Sequence, residues 1–303
     1  MFRYLQILVC FFLAHGCSWG ASRPAAVIGT TVASACVVGL FAWKLMHPVI
    51  RSSKAPLIPV IPVVPPAPVK MIYPLGDGIG SVELLEVAGN DLGIANAARV
   101  SLGKMSPVLS DADSKLIAYL IKNSHGTPFE HNMLKFRIKA PIFVTRQWMR
   151  HRVGVSYNEI SARYAQLPSE MFIPKVWRKQ AKSNRQASGE KFDSPSFTDL
   201  SDKTCKEAYA TYEALIAGGV AREQARIVLP VSMYTEFYFT CNIRSLMHFL
   251  NLRLDANAQP EIQEYAKALL ALAEPFFPAT FKAFRDNKSL PVVVEKLSTT
   301  ERK

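Results

Sequence analysis

Six prolines lie within the sixteen residues 55–70 and divide this chain of 303 residues into two unequal parts. Proline has no backbone N–H and a fixed φ, so a segment this rich in proline enters neither a helix interior nor a sheet interior. It favours extended polyproline II structure, which acts as a stiff spacer. The sequence therefore predicts an N-terminal segment, 1–54, a linker, 55–70, and a folded body that begins near Met71.

The N-terminal segment has the features of a targeting or anchoring sequence. Residues 1–20 combine a basic start with an apolar stretch of signal-peptide length. Residues 25–43 carry no charged side chain, end at Lys44, and are just long enough to span a bilayer. We expect either membrane attachment through residues 25–43 or a presequence that is removed on import; the alternative is that translation starts at Met71. The body has two cysteines that lie far apart and form no C-x-x-C pair, so the sequence supports neither a disulfide framework nor a zinc site. We therefore expect the body to work in a reduced compartment, the cytoplasm or an organelle interior.

The body alternates predicted strands with predicted helices. Apolar residues at every second position predict strands in SVELLEVAG and NMLKFRIKA. Capping residues followed by an apolar stripe predict helices in NDLGIANAARVS and SDADSKLIAYLIKNS. These elements are interleaved without an internal repeat, which favours an α+β fold with a mixed sheet and packed helices. We place this domain at 71–290, followed by a C-terminal tail, 291–303.

Two stretches of the body have less regular patterns. Pro141 suits the first turn of a helix, and we expect this helix to carry Gln147 and the Arg-His-Arg triplet 150–152. Residues 178–196 are polar and contain Gly, Ser and Pro, so they are expected to form a mobile surface insertion.

Charge is distributed unevenly along the chain. The first 70 residues contain six Lys or Arg and no acid, whereas the rest contain 30 basic and 24 acidic residues. A mildly cationic body suits small anionic ligands better than a long phosphate backbone. A nucleic-acid-binding role for the Arg-His-Arg triplet is the competing interpretation, but apolar residues precede the triplet, where a groove reader would carry a basic stripe.

The sequence RHRVGVSYNEISARY, residues 150–164, concentrates arginines beside one carboxylate and several hydroxyl groups, and it follows the apolar APIFVTRQWM. Buried arginines usually hold planar anions through forked hydrogen bonds. If the preceding helix continues, Gln147, Arg150 and His151 lie within about one turn of each other. This motif therefore predicts a binding site for a carboxylate or a phosphate.

The second half of the motif predicts a matching set of polar groups. Glu159, Ser161 and Arg163 alternate, so in an extended segment they would share one face. Arginine and serine suit a phosphate, while Gln and Glu side chains can bind an amide edge. The alternative interpretation is a buried Arg–Glu network that only holds two elements together.

Other motifs limit the chemistry. SHGTPFEH, residues 124–131, groups two histidines with a glutamate, but without the spacing of a helical metal-ligand pair, so we predict no metal site and expect this turn to contact a ligand or partner chain. GDGIGS precedes a strand, so it is no dinucleotide fingerprint. Cys205 and Cys241 lie in apolar patterns, and no G-x-S-x-G elbow is present. We therefore expect the protein to supply charge and positioning while a cofactor carries the chemistry.

Together these motifs resemble the flavin-dependent thymidylate synthases, the ThyX family. The family signature is RQWxRHR…S-x-NE-x-S-x-RY, and this chain reads RQWMRHRVGVSYNEISARY. The similarity continues through ARVS, TPFEH, REQARIVLP, NIRSLMHFLNLR and NAQPEI, from about Tyr73 to Phe284. It implies the ThyX-type fold and conversion of dUMP to dTMP, with methylenetetrahydrofolate as one-carbon donor and NADPH-reduced FAD as hydride source. It also implies a homotetramer in which different chains share each site.

The resemblance implies the residues of each site. The positions that match dUMP-binding ones are Gln147, Trp148, Met149, Arg150, Glu159, Ile160, Ser161, Ala162, Arg163, Arg226 and Arg253. The positions that match FAD contacts are Ser101, His125, Thr127, Arg150, His151, Arg152, Glu159, Asn242, Ile243, Arg244 and His248. Arg253 matches the arginine held to polarise the uracil and favour loss of its N3 proton, so the resemblance implies a catalytic role for it.

The chain departs from the family pattern in three places. Eight residues, in place of seven, separate Arg152 from Ser161, and we expect the extra residue in 153–155 to change only a local loop. His248 stands where some members have Asn, and Asn257 where some have His. A catalytically impaired protein of this fold that binds flavin or nucleotide is therefore the alternative function.

Overall fold

The computed structural model of this chain describes residues 71–181, 188–288 and 299–300. The predicted N-terminal segment and the proline-rich linker lie outside the described residues, as does nearly all of the predicted C-terminal tail. None of the helices in the described ranges combines the length and the apolar character that crossing a membrane requires.

The described strands form one six-stranded sheet and one separate hairpin. In sheet order the strands are β4 (Val155–Glu159), β7 (Tyr234–Cys241), β3 (Met133–Pro141), β2 (Ser81–Ala88), β1 (Met71–Ile72) and β8 (Thr299–Thr300). The hairpin pairs β5 (Val176–Gln180) with β6 (Ser188–Asp193). All pairings between described strands are antiparallel, so the α+β class is confirmed and the sheet is antiparallel where a mixed one was predicted. β3 and β4 run in the same direction, but β7 lies between them and prevents a parallel pairing.

Helices pack against this sheet, and two of them begin at the caps predicted from the sequence. The α-helices of the described residues are α1 (Asp91–Arg99), α2 (Asp111–Lys122), α3 (Ile142–Trp148), α4 (Pro195–Ala217), α5 (Arg222–Ala225), α6 (Ile243–Arg253), α7 (Pro260–Ala273) and α8 (Pro278–Lys288). Asn90 Oδ1 accepts a hydrogen bond from Gly93 N at 3.0 Å, and Ser110 forms a reciprocal capping box with Asp113. These caps satisfy backbone N–H groups that the first helical turn leaves unpaired.

An aromatic cluster fills the space between the sheet and the helices. The fully buried Trp148, the last residue of α3, lies with its ring 5.5 Å from that of Phe237 and 5.6 Å from that of Phe239, both on β7. Its ring is also 4.8 Å from Phe249 of α6 and 5.8 Å from Tyr265 of α7. Because aromatic side chains bury large apolar areas, this cluster fixes the end of α3 against α6 and α7.

Helix α3 ends before the Arg-His-Arg triplet, so the prediction that this helix carries the triplet is wrong. His151 N donates to Trp148 O at 3.0 Å, which closes a tight turn in place of another helical turn. Gly154 then adopts a φ of +66° and leads the chain back into β4. A Cβ at Gly154 would lie 2.3 Å from Ser245 Oγ, so this reversal requires glycine.

The described part of 178–196 lies mostly at the surface, as predicted, but it contains more regular structure than its composition suggests. Most of these residues belong to β5, β6 and the first turn of α4. Trp177 Nε1 donates to Thr198 Oγ1 at 3.1 Å, and Arg178 Nη2 lies 2.8 Å from Glu261 Oε1 on α7. The hairpin is therefore attached to the body on two sides, by contacts that local composition does not reveal.

Candidate active site

Arg253, the last residue of α6, is the centre of a connected polar network. Its Nε donates to His151 Nε2 at 3.0 Å, and its Nη2 donates to Gln147 O at 3.1 Å. Nη1 lies 3.5 Å from Gln147 Oε1. Burial lowers the pKa of the guanidinium, and within the described residues its partners are all neutral. A half-buried cation without a carboxylate partner is suited to bind an anion.

His151 is held as a neutral imidazole. It is 8% exposed, and burial, followed by the charges of Arg253 and His248, lowers its pKa to about 4. Because Nε2 of His151 accepts a hydrogen bond from Arg253, the single ring proton of the neutral imidazole lies on Nδ1 at neutral pH. Tyr157 Oη donates to His151 O at 2.9 Å, which fixes the turn that carries the imidazole.

Gln147 and Arg253 line a cavity of about 430 Å³. Gln147 Nε2 donates to Gln259 Oε1 at 2.7 Å, so a contact across 112 residues of sequence orients the amide. Asn257, Gln259, Arg178 and Ser188 also line the cavity. The lining thus combines amides, a hydroxyl and two guanidinium groups, which suits a planar ligand with amide edges and negative charge.

The segment after β4 turns sooner than predicted. β4 ends at Glu159, whose Oε1 accepts from Thr235 Oγ1 at 2.6 Å. Ser161 O then accepts from Tyr164 N at 3.0 Å, so the extended face shared by Glu159, Ser161 and Arg163 is not formed. Arg163 is nevertheless close to Ser161, because its Nε donates to Ser161 Oγ at 3.1 Å. These two groups can still bind one phosphate.

The remaining predicted nucleotide residues differ in exposure. Trp148 and Ala162 are buried in apolar clusters, so neither side chain reaches a ligand, and any contact from these positions is through the backbone. Ile160 is exposed, and Met149 is half-buried. Arg150 and Arg226 are exposed and lie outside the lining of the cavity beside Arg253.

Several predicted flavin residues line a second cavity of about 500 Å³. His125, Thr127 and Arg244 are part of its lining, and Arg244 forms an ion pair with Glu130. A Cβ at Gly126 would lie 2.5 Å from Arg244 Nε, so the guanidinium can rest here only against glycine. A guanidinium and a hydroxyl on one wall match the pyrophosphate of a dinucleotide, so the residues present fit a flavin of this kind.

The other predicted flavin residues occupy several positions. Asn242 caps α6 by accepting from Ser245 N at 2.9 Å. Ile243 is buried, and its N–H already donates to Asn132 Oδ1 at 2.7 Å, so it has no side chain or N–H free for a ligand. Ser101 Oγ donates to Ala98 O at 3.1 Å, next to the second cavity. Arg152 is exposed, and so is His248, whose ring lies 5.6 Å from that of His151.

Sequence reasoning missed three features of this site. Arg178 and Ser188 lie in the segment interpreted as an insertion, and no local pattern marks them as cavity residues. Gln259 lies in NAQPEI, one of the motifs on which the family resemblance rests, so that motif could have marked Gln259 as a site residue. Within the described residues no group of three or more His, Cys, Asp or Glu side chains is arranged to hold a metal ion.

Comparisons with known proteins identify relatives of this chain. A family model described as thymidylate synthase complementing protein matches residues 83–279. The flavin-dependent thymidylate synthase of Thermosipho africanus is 46% identical over 208 residues, which cover 68% of this chain and 90% of the relative, and that of Thermus thermophilus is 46% identical over 209 residues, covering 69% and 76%. The crystal structure of the UMP/dUMP methylase PolB from Streptomyces cacaoi, bound with 5-Br dUMP, superimposes with a TM-score of 0.62 at 35% identity, covering 69% of this chain and 97% of that chain. This chain therefore belongs to the family of flavin-dependent thymidylate synthases.

Proposed function

We propose that this protein converts dUMP to dTMP in de novo dTMP biosynthesis, with FAD as its flavin, methylenetetrahydrofolate as one-carbon donor and NADPH as reductant. The similar proteins named flavin-dependent thymidylate synthase and the PolB structure with 5-Br dUMP support this proposal. The observation that carries it is Arg253, a half-buried guanidinium that lines a cavity and contacts only neutral acceptors among the described residues. Family membership favours this function over that of a catalytically impaired binding protein.

Arg253 and Gln147 are proposed to act on the uracil ring. The Gln147 amide is suited to hold an amide edge of the base. A fixed cation beside the ring stabilises the negative charge that forms when uracil N3 loses its proton. His151 and Gln147 hold the guanidinium in place before the substrate arrives, so little reorganisation is needed during the reaction.

The flavin is proposed to lie in the second cavity. Bound flavin supplies hydride transfer, chemistry that no protein side chain provides. Arg244 and Thr127 would hold its pyrophosphate, with His125 on the same wall. Glu130 keeps the Arg244 guanidinium in position through their ion pair.

We further propose that the complete site forms in a homotetramer. Arg150, Arg163 and Arg226, which match dUMP-binding positions, line neither cavity described for one chain. Apolar side chains between α1 and α2 are exposed in the single chain: Val100 is 72% exposed and Met105 81%. Burial of such side chains against other copies would bring these arginines of one chain to the cavity of another.

We propose that the body acts in a reduced compartment, because NADPH and folates are internal metabolites. Residues 25–43, which lie outside the described residues, would anchor the protein to a membrane or belong to a presequence that is removed on import. The basic flanks of this run favour the cytoplasmic or stromal side.

The test is a direct assay of the purified full chain. We expect it to bind flavin, to oxidise NADPH, and to form dTMP only when dUMP and methylenetetrahydrofolate are both present. Chromatography of the nucleotide product identifies dTMP, and omission of each substrate in turn is the control. Flavin-loaded protein that binds dUMP but forms no dTMP would instead support the impaired alternative.

A further inference from the structure

Arg178 lines the cavity of Arg253, yet the proposed function assigns it no role. It lies on β5, and its side chain is 24% exposed. Its Nη2 lies 2.8 Å and 3.0 Å from the two carboxylate oxygens of Glu261, in the first turn of α7. The Glu261 side chain is only 10% exposed, so a buried carboxylate holds the guanidinium at the cavity wall.

The ion pair leaves part of the guanidinium available. An arginine carries five N–H donors in a planar fork. Both contacts with Glu261 use Nη2 of Arg178, whereas Nη1 and Nε have no partner within the described residues. They are therefore available to a ligand in the cavity.

The rest of the lining indicates what kind of ligand this is. Gln147, Asn257 and Gln259 contribute amides, Ser188 contributes a hydroxyl, and none of the described residues that line the cavity is an acid. Glu261 itself is not part of the lining. Arg253 has no carboxylate partner among the described residues, and the pairing of Arg178 with Glu261 uses only Nη2. The remaining N–H groups favour an oxyanion, and the planar fork of arginine matches both phosphate and carboxylate.

We propose that Arg178 binds an oxyanion of one of the two substrates, either the phosphate of dUMP or a glutamate carboxylate of the folate, and that Glu261 positions it. This inference rests on the proposed function, which supplies those two ligands. The guanidinium donors indicate that the bound group is an oxyanion. Titrations with dUMP and with tetrahydrofolate decide which of the two substrates supplies it.

The experiment compares three variants of the full-length, flavin-loaded protein. The double variant Arg178→Gln/Glu261→Gln removes both charges, so that no buried carboxylate is left unpaired. Glu261→Gln alone keeps the charge of Arg178 but removes the carboxylate that positions it, so its loss of affinity should be smaller than that of the double variant. Lys179→Gln is the matched control, because Lys179 is the next residue of β5 and is 61% exposed, paired with an exposed Glu190.

Each protein is titrated with two pairs of ligands. The first pair is dUMP and deoxyuridine, which lacks the phosphate. The second pair is tetrahydrofolate and a tetrahydropterin that lacks the glutamate. The double variant should lose about tenfold or more in affinity for one of the two charged ligands, because a charge-assisted hydrogen bond is lost. The loss should affect dUMP but not deoxyuridine, or tetrahydrofolate but not the tetrahydropterin. Either result supports the proposal and names the source of the oxyanion.

Other outcomes overturn it. Unchanged affinity for both dUMP and tetrahydrofolate in the double variant would remove Arg178 from the site. Equal losses in Glu261→Gln and the double variant, or the same loss in Lys179→Gln, would show an effect through the fold alone. If the double variant does not fold, Arg178→Lys keeps the ion pair but loses the fork, and full affinity in that variant would overturn the proposal. Wild-type protein that binds neither substrate would instead overturn the proposed function, so the two failures are distinguishable.

Discussion

The substitution His151→Gln should make the stability of the folded protein less sensitive to acid. Burial is the main reason that the pKa of His151 is lowered from 6.5 to about 4, with contributions from Arg253 and His248. In the unfolded chain this histidine takes up its proton near pH 6.5. Between pH 6.5 and pH 4 the unfolded chain therefore binds a proton that the folded chain does not. The stabilisation is complete above pH 6.5 and is lost as the pH falls through this window.

The two pKa values set the size of the effect. Between pH 7 and pH 4.5 they correspond to a loss of about 2 kcal/mol in the free energy of unfolding. Glutamine does not titrate, and its amide oxygen can replace Nε2 of His151 as the acceptor for Arg253 Nε. The variant should therefore lose about 2 kcal/mol less than the wild type over the same interval.

Urea unfolding at pH 7 and pH 4.5, at one fixed protein concentration, measures this difference. His131→Gln is the matched control, since His131 is exposed and lies outside the Arg253 network, and it should follow the wild type. Equal acid losses in the wild type and in His151→Gln would refute the reasoning. That result would mean that His151 is protonated, or exposed to water, in the folded protein.

The other predictions concern ligands and the N-terminus. Arg253→Lys keeps a charge but loses the fork, so kcat/KM for dTMP formation should fall about 10- to 100-fold, and an unchanged value would remove its assigned role. Gly126→Ala should weaken flavin binding, measured by flavin absorbance after dialysis, because its Cβ would displace the Arg244 guanidinium; full flavin retention contradicts this. Arg163→Ala should weaken dUMP binding about tenfold or more in calorimetric titration, while an equal affinity would exclude it from the phosphate site. Mass spectrometry of the native protein should find an N-terminus upstream of Met71 in a membrane fraction, or one created by cleavage after import; a start at Met71 with no membrane fraction means that neither occurs.

Short-range patterns predicted most of the elements. The strand period of two in NMLKFRIKA corresponds to β3, in which Leu134, Phe136 and Ile138 are buried on one face. Asn90 and Ser110 marked the starts of α1 and α2 because their side chains pair with backbone groups only three residues away. Such signals depend on neighbouring residues, so one sequence contains all the information that they require.

Long-range contacts were beyond the reach of these patterns. Helix α3 stops where Trp148 enters an aromatic cluster built from β7, α6 and α7, and nothing in RQWMRHR itself specifies that stop. The polar composition around Arg178 suggested an insertion, whereas Glu261, 83 residues further along the chain, completes the ion pair that attaches it. In each case the deciding partner is distant in sequence, so local propensity is overruled by packing or by charge.

The two ends of α6 show how one helix can serve two cavities with different electrostatics. Arg244 and Arg253 lie at opposite ends of α6, roughly 14 Å apart along its axis at the usual rise per residue. At the N-terminus the helix dipole disfavours a cation, and there Glu130 pairs with Arg244. At the C-terminus the dipole favours a cation, so Arg253 remains charged although its partners among the described residues, His151 and Gln147, are neutral. The dipole thus takes the place of a carboxylate that would otherwise compete with the substrate for Arg253.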